Sequence, residues 1–179
     1  MLEMIGKIIW LLLPAYTPNN FAVLLGGLKP MDFGKNFLDG RRIFGDGKTF
    51  SGFFGGILGG ILIANVQRMI ERFANINFYS SLSYSDFFFL VLAFAVGSMC
   101  GDAFGSFIKR RLNLERGKKF PIVDQLTFLC FAFAFASFSP SFWKLFATSE
   151  ILVAFLITPF LHLGVNIIAY KLGLKDVPW

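Results

Sequence analysis

Long apolar runs, separated by polar and mostly basic stretches, set the pattern of this chain. Five of them, about residues 5–28, 53–70, 86–107, 121–141 and 149–171, are apolar enough to cross a bilayer; a helical span needs roughly 20 such residues. The pattern predicts an all-α integral membrane protein of five transmembrane helices, built as one membrane-embedded domain over residues 1–179. Pro14, Pro18, Asn19 and Asn20 interrupt the first run and predict a kinked or broken helix. Broken backbone at membrane depth is tolerated only where protein or a water-filled cavity covers it. That first run lacks a small-residue cleavage site, so it reads as a retained span rather than a signal peptide. The second run is the weakest, because Asn65, Gln67 and Arg68 arrive early and predict an amphipathic outer end. Within it, Gly55, Gly56, Gly59 and Gly60 form two overlapping GxxxG pairs, the spacing of a close helix–helix contact. In the fourth run, the alternation of Phe131, Phe133 and Phe135 with small residues predicts a lipid-facing helical segment.

Composition strengthens the membrane reading. The 179 residues are 55% hydrophobic and 16% charged, with 25 phenylalanines; a soluble domain carries about 25% charged residues. Lipid must solvate part of this surface. Cys100 and Cys130 both sit in apolar runs, and His162 is the single histidine, so neither a disulfide framework nor a zinc spacing is indicated. Thirteen of the 17 lysines and arginines fall in the 29–51 loop, the 108–120 loop and the tail from Lys171. Lys7, Arg68, Arg72 and Lys144 remain for the other side. Lysine and arginine bias sets orientation, which predicts an outside N-terminus, two cytoplasmic loops and a cytoplasmic C-terminus in a multi-pass protein of the cell membrane.

Chemistry concentrates near the two basic loops. Asp102 lies within an apolar span, about 10 Å of helix rise from Lys109, and an intramembrane carboxylate is a candidate functional group by default. Asp124 opens the next span, at a similar distance from the same loop. Two carboxylates at the mouth of a polar cleft suit a divalent cation, above all magnesium, which takes one or two carboxylates and completes its shell with phosphate and water. The other reading is that each aspartate caps a helix or pairs with a loop lysine. The first loop carries Gly45, Asp46, Gly47, Lys48, Thr49, Ser51 and Gly52, a glycine-rich basic turn whose amides and lysine suit phosphate oxygens, with a helix N-terminus beginning near Ser51. It is not a Walker A loop, which needs glycine where Arg42 stands. Asp39, Arg41 and Arg42 either order this loop or touch substrate. Asn19, beside Pro18, lines the cleft or satisfies carbonyls freed by the kink. His162 and Asn166, four residues apart on the last span, read as a structural polar pair. Together these features point to a substrate carrying both phosphate and lipid, without choosing the reaction.

Particular residues extend the reading. Gly101-Asp102, then Ser106-Phe107-Ile108-Lys109-Arg110, then Phe120-Pro121-Ile122-Val123-Asp124, resemble the signature of the phosphatidate cytidylyltransferase (CDP-diacylglycerol synthase) family. Gly47 to Gly56 is similar to that family's upstream glycine-lysine-threonine block. PAYTPN and DFGKNFLDGRRIFGDGKT resemble its archaeal branch, the CDP-archaeol synthases, more closely still. The similarity runs over about residues 14–56 and 97–127.

The resemblance implies a magnesium-dependent transfer of CMP from CTP to the phosphate of an isoprenoid ether phospholipid, 2,3-bis-O-geranylgeranylglycerol 1-phosphate, with pyrophosphate leaving. On this basis Asp102 and Asp124 are the metal-binding and catalytic carboxylates, and Lys48 joins them as a catalytic residue. Gly47, Thr49, Asp46, Ser106, Lys109, Arg110, Lys118, Lys119 and Asn19 are expected to bind substrate. The bacterial signature has a further acidic residue where this chain has Thr127, and an arginine where it has Gln125. Membrane lipid and CTP are the expected partners; no nucleic acid is. A CTP-dependent polyprenol kinase and a non-enzymatic carrier of anionic lipid are the alternatives that use the same groups.

Overall fold

The computed structural model describes residues 1–115, 117–118 and 120–173. It is helical, in the order α1 (Leu2–Tyr16), α2 (Pro18–Leu25), α3 (Phe50–Ala74), a short 3₁₀ turn (Tyr79–Ser81), α4 (Tyr84–Arg111), α5 (Pro121–Ala136), α6 (Pro140–Leu145) and α7 (Thr148–Lys171). Among the described residues the only β features are two isolated bridges, Pro30 with Thr49 and Asn36 with Arg42. Among the described residues, four segments are long and apolar enough to cross a membrane: Leu2–Leu25 (α1 with α2), Phe50–Ala74, Tyr84–Arg111 and Thr148–Lys171.

The expected fourth span, 121–141, is shorter than the sequence suggested. α5 ends at Ala136 after 16 residues. Pro140 has no amide to donate to the Ala136 carbonyl four residues back, which instead accepts from Ser139 N at 2.9 Å; the chain turns there and α6 starts on the proline. A second correction concerns the Phe-Ala alternation. Phe133 does not face lipid: it is buried and packs against the rings of Phe142, Phe146 and Phe155. Phe135 is exposed.

The break in the first segment follows from its prolines. Pro18 cannot donate to the Pro14 carbonyl, nor Pro14 to that of Trp10. The turn re-forms around Thr17, whose amide and hydroxyl both donate to Leu13 O, at 2.9 and 2.7 Å. Gln67 Nε2 donates to the freed Trp10 carbonyl at 2.6 Å, and Ser98 Oγ to Ala15 O at 2.7 Å. Neighbouring helices thus satisfy the Trp10 and Ala15 carbonyls.

The glycines of α3 face this region. A methyl at Gly60 would fall 2.8 Å from Pro14 O, and one at Gly56 would fall 2.8 Å from Pro18 O. The GxxxG pairs are therefore the close helix–helix contact the spacing suggested. A second glycine stripe, Gly97, Gly101 and Gly105, seats α4 against α5. A methyl at Gly97 would lie 2.7 Å from Ala132 Cα, and at Gly101 2.6 Å from Phe128 Cα. The core lies where α1, α4, α5, α6 and α7 meet, around Leu11, Leu12, Leu90, Phe94, Leu129 and Phe142. Outside it, large apolar side chains such as Leu62, Phe73, Leu156 and Phe160 stand exposed, an outer surface suited to lipid.

Candidate active site

A cavity of about 650 Å³ opens beneath the loop that joins α2 to α3, walled by α1, α2, α4, α5 and α7. That lies within the roughly 300–1,000 Å³ of small-molecule sites. One wall is polar and assembled from four parts of the chain. The loop brings Asp46, Gly47, Lys48 and Thr49. α4 presents Asp102, Ser106 and Lys109, whose spacing of four and three puts them on one helix face. Lys118 and Asp124 complete it. The rest of the lining is largely apolar and reaches down the helices to Ile9, Leu13, Met99, Phe128 and Val165.

The loop owes its shape to Asp32, which sequence reasoning passed over. Its carboxylate accepts from the amides of Gly34 (3.0 Å), Phe44 (3.0 Å) and Gly45 (2.8 Å) and from Arg42 Nη2 (2.7 Å) and Nε (3.2 Å). Gly45 sits at φ +89°, a conformation other residues rarely adopt. Burial alone would raise the Asp32 carboxyl, but the Arg42 guanidinium and the three amides outweigh it and hold the group well below the usual carboxylate range. The same pairing raises Arg42, which also meets Asp46 at 2.8 Å. At the far side of the loop, Arg111 pairs with Asp39 at 2.8 Å, donates to the carbonyls of Arg41 and Arg42, and lies between the rings of Phe37 and Phe107. The loop is therefore clamped to the helix that carries Asp102. Asp39, Arg41 and Arg42 order it, as one of the two readings held.

Lys48 and Thr49 end the loop. Thr49 is the N-cap of α3, accepting from Gly52 N at 3.1 Å, which fixes the preceding lysine against the cavity. Lys48 Nζ donates to Asp102 Oδ2. Lys109 Nζ donates to both oxygens of Asp124, at 2.9 and 3.0 Å, and Asp124 Oδ2 also accepts from Phe120 N at 3.0 Å. Each carboxylate thus has the lysine partner that the alternative reading supposed, and both still open on one cavity.

Ten of the twelve expected site residues line it: Asn19, Asp46, Gly47, Lys48, Thr49, Asp102, Ser106, Lys109, Lys118 and Asp124. Arg110 does not; its side chain packs by Gly45, with the guanidinium 3.9 Å from where a methyl there would sit. Lys119 lies outside the described residues, as do Arg116 and Lys175 of the charge count. His162 and Asn166 form the expected pair, 3.2 Å apart, and they also line the cavity. Tyr16 joins them there. Thr158 spends its proton on Ala154 O at 2.6 Å, so the Tyr16 hydroxyl donates to Thr158 at 2.8 Å, linking α1 to α7. The interrupted first span and the apolar-run polar residues were the available signals for Tyr16, His162 and Asn166; nothing in the loop sequence set Asp32 apart from Asp39 and Asp46.

Among the described residues no cluster of three or more histidine, cysteine or acidic side chains forms a ready cage for a metal ion. Two carboxylates facing one space fit a different kind of site, a hard cation whose remaining ligands are phosphate oxygens and water.

Comparison with known proteins shows which family the chain belongs to. A family model described as CarS-like, CDP-archaeol synthase, matches residues 1–179. The chain belongs to the CDP-archaeol synthase family. It is 59% identical over 179 residues to the CDP-archaeol synthase of Archaeoglobus fulgidus, covering 100% of each chain. It is 46% identical over 176 residues to that of Methanocaldococcus jannaschii, covering 96% of this chain and 95% of the other. A solved structure of an intramembrane enzyme for archaeal membrane lipids biosynthesis superposes with a TM-score of 0.67 at 34% identity, over 89% of this chain and 92% of that one. The CDP-archaeol synthase assignment fits a multi-pass membrane protein with its polar wall at one end of the helices.

Proposed function

We propose that the cavity transfers CMP from CTP to the phosphate of 2,3-bis-O-geranylgeranylglycerol 1-phosphate, yielding unsaturated CDP-archaeol and pyrophosphate. The observation that carries this reading is a single cavity with both halves of the chemistry. Lysines and carboxylates form one wall, and apolar helix surface forms much of the rest. A phosphate oxygen of the lipid attacks the α-phosphorus of CTP, the bond from that phosphorus to the bridging oxygen breaks, and the β,γ-pyrophosphate leaves with the electron pair. The protein's share of such a transfer is positioning and charge neutralisation. Lys48, held at the start of α3, and Lys109 bind triphosphate oxygens. Lys118 adds positive charge to the polar wall, and Ser106 offers a hydroxyl to phosphate oxygens. Asp102 and Asp124 are the groups that hold magnesium, which when bound supplies charge neutralisation to the triphosphate.

The isoprenoid tails remain in the bilayer. Exposed Val23, Leu24 and Leu25 on α2 and Leu163, Val165 and Ile168 on α7 support entry of the head group from the side, between these helices. By the positive-inside rule, the loop-bearing end is cytoplasmic and the N-terminus lies outside, in the cell membrane, with the short α5 and α6 together taking the place of a fifth span.

Purified protein with magnesium, CTP and the lipid phosphate tests the reaction. One pyrophosphate released per lipid consumed is the expected result. CDP as the product would instead establish a kinase, and no CTP consumption a carrier; either outcome defeats the proposal.

A further inference from the structure

Catalysis does not require what the polar wall displays: Asp102 and Asp124, two of its carboxylates, are each already neutralised by a lysine of the same chain. Lys48 binds Asp102, and Lys109 spans both oxygens of Asp124. Neither pair is sealed. The side chains of Lys48 and Asp102 are 25% and 27% exposed, those of Lys109 and Asp124 13% and 31%, and all four face the cavity. The Arg42–Asp32 pair is different, with an Asp32 side chain of 0% exposure and further amide donors holding it. One kind of pair is a fixed tie; the other stands where ligands arrive.

We propose that Lys48 and Lys109 are built-in placeholders: they occupy the carboxylates of the empty protein and pass to the nucleotide triphosphate when a divalent cation takes those carboxylates. The inference rests on reading the cavity as the CTP and metal site, and adds how the two ligands depend on one another. In the empty wall the formal charges cancel. A dication arriving alone must displace an ammonium group and then sit beside it. A triphosphate arriving alone finds the lysines engaged and two carboxylates facing it. Arriving together, each ligand takes the partner the other releases. Long, unbranched lysine side chains make the exchange by rotamer change, with Thr49 and α4 holding the backbone still. Metal and nucleotide therefore bind with positive coupling, and because coupling is reciprocal, each tightens the other by the same factor.

The test separates charge from structure. Full-length protein in detergent is titrated with Mn²⁺ alone, the free ion being read by electron paramagnetic resonance. Lys48→Met and Lys109→Met are each expected to bind Mn²⁺ about tenfold more tightly than the unmodified protein, within the 5- to 150-fold range of such couplings. The same variants bind CTP, in EDTA, about tenfold more weakly. Lys48→Arg, which keeps the charge, retains the unmodified affinity for Mn²⁺. Unchanged or weaker Mn²⁺ binding in both methionine variants overturns the placeholder role. Asp102→Asn and Asp124→Asn locate the failure. If they retain Mn²⁺ binding, the metal reading beneath the proposal falls; if they lose it while the methionine variants are unchanged, the placeholder role alone falls.

Discussion

The two ends of the helix bundle both carry charged groups among apolar helices, and they use them differently. At the end away from the loop, Glu71 is fully buried and accepts from Trp10 Nε1 and Ser80 N, each at 2.7 Å. Gln67 ties to Trp10 O there, and Tyr79 OH donates to Leu11 O. Arg68 donates to Leu82 O at 2.8 Å and lies over the Phe87 ring at 4.6 Å. Nothing in this cluster borders the large cavity. At the loop end, Asp102 and Asp124 keep about a quarter to a third of their side chains open and face empty space. A charge inside an apolar helix is therefore not in itself a site. The distinction is whether the group lies buried among the helices or opens on the cavity.

The largest expected effect belongs to the open end. Asp102→Asn should lower kcat by about 10²–10³-fold, the range seen when one group that offsets transition-state charge is removed. Its melting temperature in detergent should barely move, since a part-exposed pair stabilises by about 1 kcal/mol or less. Glu71→Ala should reverse that profile. Losing two hydrogen bonds to a buried charged group costs about 3 kcal/mol, visible in thermal unfolding, with activity per folded molecule retained. A Glu71→Ala protein of full stability, or one that is folded and inactive, would break the contrast. Gly101→Leu, in the stripe that seats α4 against α5, overpacks a contact shared by both aspartate-bearing helices. It should cost about 1–3 kcal/mol and lower turnover as well, the mixed signature of a residue that positions the wall.

The smallest effect concerns pH. Asp32 has its folded value below the unfolded value, so it contributes stability that is fully present above about pH 4, the unfolded carboxylate value. That contribution is lost as pH falls through the folded value. Unfolding measured against pH should show this acid-side slope, and Asp32→Asn should reduce it. An identical slope in the variant would remove Asp32 as the centre of the loop.

The spans were legible because hydropathy is a one-dimensional signal. So was Asp102, because a carboxylate in an apolar run stands out. Asp124 and Lys48 were legible from their places beside the basic loops, and the resemblance added the reaction. What stayed hidden depends on three-dimensional partners. Phe133 and Phe135 look alike in sequence, and only the positions of α6 and α7 decide which is buried. Arg110 and Lys109 are neighbours, yet the helix turn sends one to the cavity and the other toward Gly45. The length of α5 was readable in principle, since Pro140 deprives Ala136 of its donor, but the apolar run continues past the stop and concealed it. Asp32 is one of three acids in its loop, and its role appears only when the chain folds its amides around it.

The account stands on cytidylyl transfer in the cavity bounded by Asp102 and Asp124. CTP labelled at the α-phosphate and CTP labelled at the γ-phosphate, offered in parallel with the lipid phosphate, test it most directly. The α label should enter extractable lipid, the γ label should appear only in pyrophosphate, and both signals should fall by about 10²–10³-fold in Asp102→Asn. Label from the γ position in the lipid, or undiminished α transfer by the Asp102→Asn protein, would contradict it.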